Sequence, residues 1–277
     1  MMGTFLAVTP LMLGLIVGGG LIAGLMTGFL GVGGGVVLVP LFLVILPGLG
    51  GQPEFIMHQA VSTSLAVMIF SSFSAVIRQY SSGQLDVQLF LRWCPFVLLG
   101  VLAASTVFPL IPDFVLELVF FVYLLGCAAY MGIRAREHDE PSSPPRPISW
   151  PVTAAGGLFV GALSRLLGIG GGTFTVPYFK FFNHDIKTAI AVSAVTGLLI
   201  SVSATAADLV KFAGLDASSA KSPGYISFTL LVLITPLSML AASLGVALNK
   251  RAPESLVTWL YVLCLLAAAA SIVVNLI

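Results

Sequence analysis

Apolar residues run along this 277-residue chain in blocks too long for one face of a soluble helix, and short polar, glycine-rich or proline-rich stretches separate them. The pattern predicts ten helical segments, at about 10–29, 36–46, 58–78, 89–110, 112–131, 150–167, 173–182, 187–211, 225–248 and 253–277. A helix rises about 1.5 Å per residue and needs about 20 residues to cross a hydrocarbon core, so most of these segments are long enough to span a bilayer. The pieces at 36–46 and 173–182 reach only about half way. Each follows a glycine run, Gly31-Val32-Gly33-Gly34-Gly35 or Gly168-Ile169-Gly170-Gly171-Gly172. The first block, 11–27, has no basic flank before it and no small-residue cleavage site after it, and reads as a membrane helix rather than a signal peptide.

The order of parts occurs twice. Residues 134–147, R-A-R-E-H-D-E-P-S-S-P-P-R-P, are too polar and too proline-rich to form a span, and they divide the chain into a first repeat at 1–133 and a second at 148–277. Residues 24–42 laid on 161–179, an offset of 137, match at nine of 19 positions, including GxGGG and Val-Pro-x-Phe. Further on, Ala60-Val61-Ser62 corresponds to Ala191-Val192-Ser193 at an offset of 131. Duplication of one half accounts for both matches.

Composition then fixes the solvent. Hydrophobic residues make up 58% of the chain and charged ones 8%, with a mean hydropathy of +1.08. Globular domains carry about 25% charged residues, so this chain is suited to lipid and not to water: the expected fold is an all-α polytopic membrane protein. A net charge of +1 without a basic tract excludes nucleic-acid binding as a main function. Cys94, Cys127 and Cys264 stand singly, with no CxxC and no histidine at ligand spacing, so they read as buried thiols and neither a metal site nor a cofactor is expected.

Basic residues orient the segments. With the linker cytoplasmic, nine of the twelve Lys and Arg fall inside, Lys211 and Lys221 fall outside, and Arg165 lies within the membrane. Both termini are then external. If each glycine-broken pair enters and leaves on one side, each half makes an odd number of crossings, and two repeats of about five segments are inverted. Inverted repeats with broken helices at corresponding positions are a pattern of secondary transporters, with the substrate near the midplane. Both breaks are expected there, facing each other across a central cavity.

Irregular backbone at membrane depth needs burial in protein or a watery cavity. At Gly33, Gly34, Gly35 and Gly170, Gly171, Gly172 the missing side chains would let a ligand approach the backbone, where the short helix beginning next offers N–H groups suited to an anion; close helix packing is the other reading. Arg165 sits in an apolar run, where a charge costs at least about 2.5–3.5 kcal/mol at the bilayer centre. An anionic substrate, Asp208 or freed carbonyls would answer it, or it snorkels to the interface. Ser62, Thr63 and Ser64, with Ser193 and Thr196 in the second half, are candidate hydroxyls for oxyanion oxygens. Asp208, Glu117 and His58 are candidates for proton coupling, with structural roles or solvent exposure as the alternatives.

The segments GFLGVGGGVVLVPLF and RLLGIGGGTFTVPYF, each followed by an Ala-Val-Ser segment, resemble the paired signatures of the TauE/SafE sulfite exporter family, over essentially the whole chain. The resemblance implies a multi-pass protein of a bacterial plasma membrane that exports or takes up sulfite, organosulfonates or a related sulfur-containing anion. Family members usually show glycine where Arg165 and Ser62 stand. The function expected is therefore an alternating-access carrier of a small anion, driven by proton or sodium coupling. An anion channel is the nearest rival. A membrane-embedded enzyme is disfavoured, since no nucleophile, base and orienting acid are placed together.

Overall fold

The computed structural model describes residues 10–31, 33–51, 53–81, 83, 85–134, 146–184, 186–213 and 225–249, together with single positions 259, 262, 263, 266, 269 and 270. Most of the linker, both termini and most of the tenth segment lie outside the described residues. Nine α-helices are delimited among the described residues, in order: α1 Pro10–Leu30, α2 Gly35–Ile45, α3 Ile56–Ser81, α4 Val87–Val107, α5 Asp113–Arg134, α6 Trp150–Leu167, α7 Gly172–Phe181, α8 Ile186–Ala213 and α9 Phe228–Asn249. Short 3-10 turns at Leu46–Leu49, Pro53–Phe55 and Phe108–Leu110 complete the connections, and no strand occurs among the described residues. Among the described residues, seven helices are long and apolar enough to cross a membrane. The protein is an all-helical, multi-pass membrane protein.

Local chemistry explains the boundaries. Asp86 caps α4 by accepting from the Leu89 N–H at 2.9 Å. Gly168 ends α6 in the left-handed region, φ 68°, with its N–H on the Ser164 carbonyl. Pro40 and Pro177 lie inside α2 and α7, where a proline leaves one carbonyl of the helix without its partner. The third helix begins two residues before His58 and runs three past Arg78, because nothing in that stretch denies it a backbone donor.

The packing follows the repeat. Exchanging the halves takes α1 to α6, α2 to α7, α3 to α8 and α4 to α9, and each major helix pairing has its counterpart: α1 on α9 with α6 on α4, α3 on α9 with α8 on α4, α2 on α3 with α7 on α8, and α3 on α8 with itself. Small residues make the closest seams. Gly20, Gly24 and Gly28, four apart along α1, face α9; Gly157 and Gly161 on α6 face α4. A β-carbon on Gly24 would lie 2.7 Å from the Ser238 α-carbon, and one on Gly157 2.7 Å from the Phe96 β-carbon. In lipid, where no hydrophobic drive joins helices, such backbone approach supplies the dispersion contact. The central pair, α3 and α8, is mostly buried, whereas α5 turns Phe114, Leu118, Val122 and Leu125 outward.

Candidate functional site

Each glycine run is the tip of a helical hairpin. In the first, Gly48 beyond α2 comes back to Met12 at the start of α1, and Gly34 lies with its would-be β-carbon 2.7 Å from the Ala23 carbonyl. In the second, Tyr178 on α7 donates its hydroxyl to the Val152 carbonyl on α6 at 3.1 Å, and Gly171 rests against Val160 and Ser164. The turns need glycine, since Gly33 and Gly171 have φ of 66° and 72°.

The two tips meet. A β-carbon on Gly33 would lie 2.8 Å from the Gly170 α-carbon, one on Gly35 would overlap the Gly168 carbonyl, and the Met68 methyl covers Gly33 and Gly170 together. Each half also holds the other's break by a hydroxyl: Ser64 on α3 donates to the Gly168 carbonyl at 2.8 Å, and Ser193 on α8 donates to the Gly31 carbonyl at 2.6 Å. The runs were expected to face each other across a cavity, and here they touch. The space that their missing side chains leave is filled by the partner backbone, as the packing reading of glycine requires.

The remaining candidates divide. Gly172 opens α7 and is buried. Thr63 accepts from the Ser227 N–H at 2.9 Å and donates to the Tyr225 carbonyl at 3.5 Å. Thr196 donates within its own helix to the Val192 carbonyl at 2.8 Å. Ser62 is buried, with no partner for its hydroxyl among the described residues. Glu117 is half-buried, one turn beyond Asp113.

Arg165 is fully buried, at 0% exposure, so it does not snorkel. Its Nη2 donates to Asp208 Oδ1, its Nε to Ser105 Oγ at 3.0 Å, and its guanidinium carbon stands 3.8 Å from the centroid of the Phe108 ring. Its Nη1 has no hydrogen-bond partner among the described residues, nor have the buried hydroxyls of Ser164, Thr173, Thr175, Ser201 and Thr205. Ser201, Thr205 and Asp208 recur at i, i+4 and i+7 on α8 and so share a face. Close to the second break the interior thus holds a guanidinium with both Nη1 N–H groups unspent, and several unspent hydroxyls on α6, α7 and α8. Such a set of donors suits an acceptor-rich ligand with negative charge.

His58 joins the same end of the molecule. It pairs with Asp113 through Nδ1, contacts the Phe108 carbonyl through Nε2 at 2.9 Å, and packs on Tyr225 with ring centroids 5.1 Å apart. Asp113 also accepts from the Met57 N–H at 2.9 Å. Phe108 thus touches both pairs, by its ring on one and its carbonyl on the other. Ser105, Phe108, Asp113 and Tyr225 were not singled out in the sequence. Only Asp113, placed after Pro112 at a helix start, carried a signal, and that signal is a cap's.

Among the described residues, no group of three His, Cys, Asp or Glu side chains is placed to hold a metal.

The chain finds relatives among proteins named as probable membrane transporters. No solved structure matches the chain. A probable membrane transporter protein of Haemophilus influenzae is 27% identical over 236 residues, covering 85% of this chain and 88% of its own. One of Methanocaldococcus jannaschii is 24% identical over 251 residues, with 87% and 88% covered, and one of Bacillus subtilis is 22% identical over 250 residues, with 84% and 86% covered. The model of the family described as "Sulfite exporter TauE/SafE" matches residues 16–272, nearly the whole length over which the two glycine-tipped hairpins and their supporting helices are built, and the chain therefore belongs to the TauE/SafE family.

Proposed function

We propose that this protein carries a small sulfur-containing anion, sulfite or an organosulfonate, across a membrane by alternating access between two inverted repeats, 1–133 and 148–277. The observation that carries the reading is the buried Arg165 with Nη1 unspent, held by Ser105 and by Asp208 of α8. A sulfonate brings three acceptor oxygens and one negative charge, which a guanidinium meets with parallel N–H bonds. The family's description names sulfite, and the relatives are named as transporters. Inversion is supported by the run of the equivalent helices α3 and α8. Gly168 lies at Ser64, Gly170 at Met68 and Gly197, and Gly31 at Ile190 and Ser193, so one helix ascends as the other descends.

In this reading the touching tips are a closed state, and a substrate gains its place as they part. The arriving anion competes with Asp208 for Arg165, which makes Asp208 the carboxylate whose charge a coupling proton or sodium would then balance. His58 and Glu117 stand behind it as coupling candidates, His58 within the adjoining ion pair.

Proteoliposome counterflow tests the proposal. Vesicles preloaded with unlabelled sulfite and given trace ³⁵S-sulfite outside are expected to accumulate label transiently and saturably. Non-saturable flux without counterflow means a channel, and no flux of sulfite or of any organosulfonate overturns the substrate reading.

A further inference from the structure

Away from the breaks, at the end where α4, α6 and α8 begin, a cavity of about 230 Å³ is lined by Leu89, Arg92, Trp93, Arg146, Pro147, Ile148, Thr153, Phe179 and His184. Two features set it apart from a packing defect between helices. Arginines from two elements line one small space, Arg92 from α4 and Arg146 from the strand of chain leading into α6, and no acidic side chain lines it among the described residues. The Arg146 backbone is anchored there by its N–H on the Phe182 carbonyl at 2.9 Å. The second feature is Trp93. It is 0% exposed, its ring is held by Tyr178 and Phe179 at centroid distances of 4.7 and 5.2 Å, and its Nε1 has no hydrogen-bond partner among the described residues. A buried indole N–H ordinarily finds an acceptor. Arg92 and Arg146 make the lining net positive, which suits a solute carrying negative charge.

We infer that this cavity is a second anion site, which takes a small oxyanion between Arg92, Arg146 and His184, with Trp93 in its lining. By the distribution of basic residues it opens to the cytoplasm, where it would gather anions before they reach Arg165. Its volume holds a sulfonate-sized solute with a little water. Asp86, which acts on His184, caps α4 and is not among the lining residues. Fields of like charge in a concave, low-dielectric wall raise the local concentration of the opposite charge. The site deepens the transport reading for the identity of its ligand, while its existence stands on the cavity alone.

The chain has three tryptophans, so full-length protein with Trp150→Phe and Trp259→Phe reports from Trp93 only. Titration with methanesulfonate at constant ionic strength, in phosphatidylcholine nanodiscs, is expected to change Trp93 emission saturably. Arg92→Gln with Arg146→Gln should raise the half-saturation concentration at least tenfold, and Arg165→Ala should leave it within twofold. A response absent with methanesulfonate, or one that the double arginine variant leaves unchanged, overturns the site. A response obtained with phosphatidylglycerol nanodiscs and not with methanesulfonate assigns the cavity to a lipid headgroup and overturns the solute proposal. A saturable Trp93 response together with no counterflow of sulfite or any organosulfonate would overturn the transport reading and leave this site standing, whereas counterflow without the response does the reverse.

Discussion

Arg165 occupies in the second half the place that Gly28 holds in the first, and the residues they face, Ser105 and Ala242, are related by the same offset of 137. A β-carbon on Gly28 would overlap the Ala242 carbonyl, so that seam is closed; Arg165 instead sends Nε to Ser105 Oγ at 3.0 Å and Nη2 to Asp208. One repeat position thus seals a helix pair while its twin puts a cation into the core. Removing one partner of a buried pair costs about 3–5 kcal/mol. Arg165→Ala and Asp208→Asn are each expected to lower the apo melting temperature strongly. Arg165→Gly with Asp208→Asn, which restores the glycine of the other half and removes the orphaned charge, should be more stable than the sum of the single losses. For binding, Arg165→Lys should weaken sulfite affinity and Arg165→Ala abolish it. Unchanged affinity in Arg165→Ala would remove this residue from the anion site.

The glycines separate into those whose space is taken and those whose space is empty. Gly35 has the Gly168 carbonyl where its β-carbon would be, whereas Gly126 on α5 has nothing within 4 Å. Gly35→Ala is therefore expected to cost about 1–3 kcal/mol through overpacking, and Gly126→Ala to gain about 0.5–1 kcal/mol from helix propensity. Thermal unfolding of the two purified variants makes the comparison, and equal effects would mean that the tips do not meet. Gly34→Leu and Gly171→Leu, which load the breaks themselves, should insert into the membrane and show no counterflow.

Helices, repeat and breaks were legible because periodicity, glycine and proline act locally. The correspondence of Gly31 with Gly168 needed only an offset. Which groups the breaks would meet was not legible, since Ser64 reaching Gly168 and Ser193 reaching Gly31 are contacts between residues over 100 apart, and the two serines do not occupy the same repeat position. Asp208 could be named as one partner for Arg165 because both charges stand in apolar runs. Ser105 and Phe108 could not, because a serine and a phenylalanine in a membrane helix carry no mark of what they face. The cavity at Trp93 was invisible for the same reason, because nothing in the sequence brings Arg92, Arg146 and His184 to one place.

Topology is open to a direct test. The basic residues Arg78, Arg92, Arg146, Lys180 and Lys187 all lie at or near helix ends or connections between α3 and α4, before α6, or between α7 and α8, an asymmetry from which this end is expected to face the cytoplasm. A cysteine at Ser143, with the three native cysteines replaced, is expected to react with an impermeant maleimide only in inside-out vesicles. Labelling in right-side-out vesicles would reverse the orientation of both repeats.

His184 gives the cavity a pH signature with a definite sign. Burial holds its pKa below the ordinary value of 6.5, and Asp86 opposes that shift only in part. Arg92 and Arg146 are the other charges at the cavity, and Asp185 lies outside the described residues. A base whose folded pKa is depressed leaves the unfolded chain binding more protons, so stability is complete above the unfolded value and falls as pH drops from about 6.5 through the folded pKa. The melting temperature of the detergent-purified protein should decline across that window, and His184→Gln should flatten the decline. An anion seated between the arginines favours the charged ring, so saturating methanesulfonate should also reduce the slope. If the anion left the slope unaltered while His184→Gln flattened it, His184 would be a titrating side chain that no ligand in the cavity reaches.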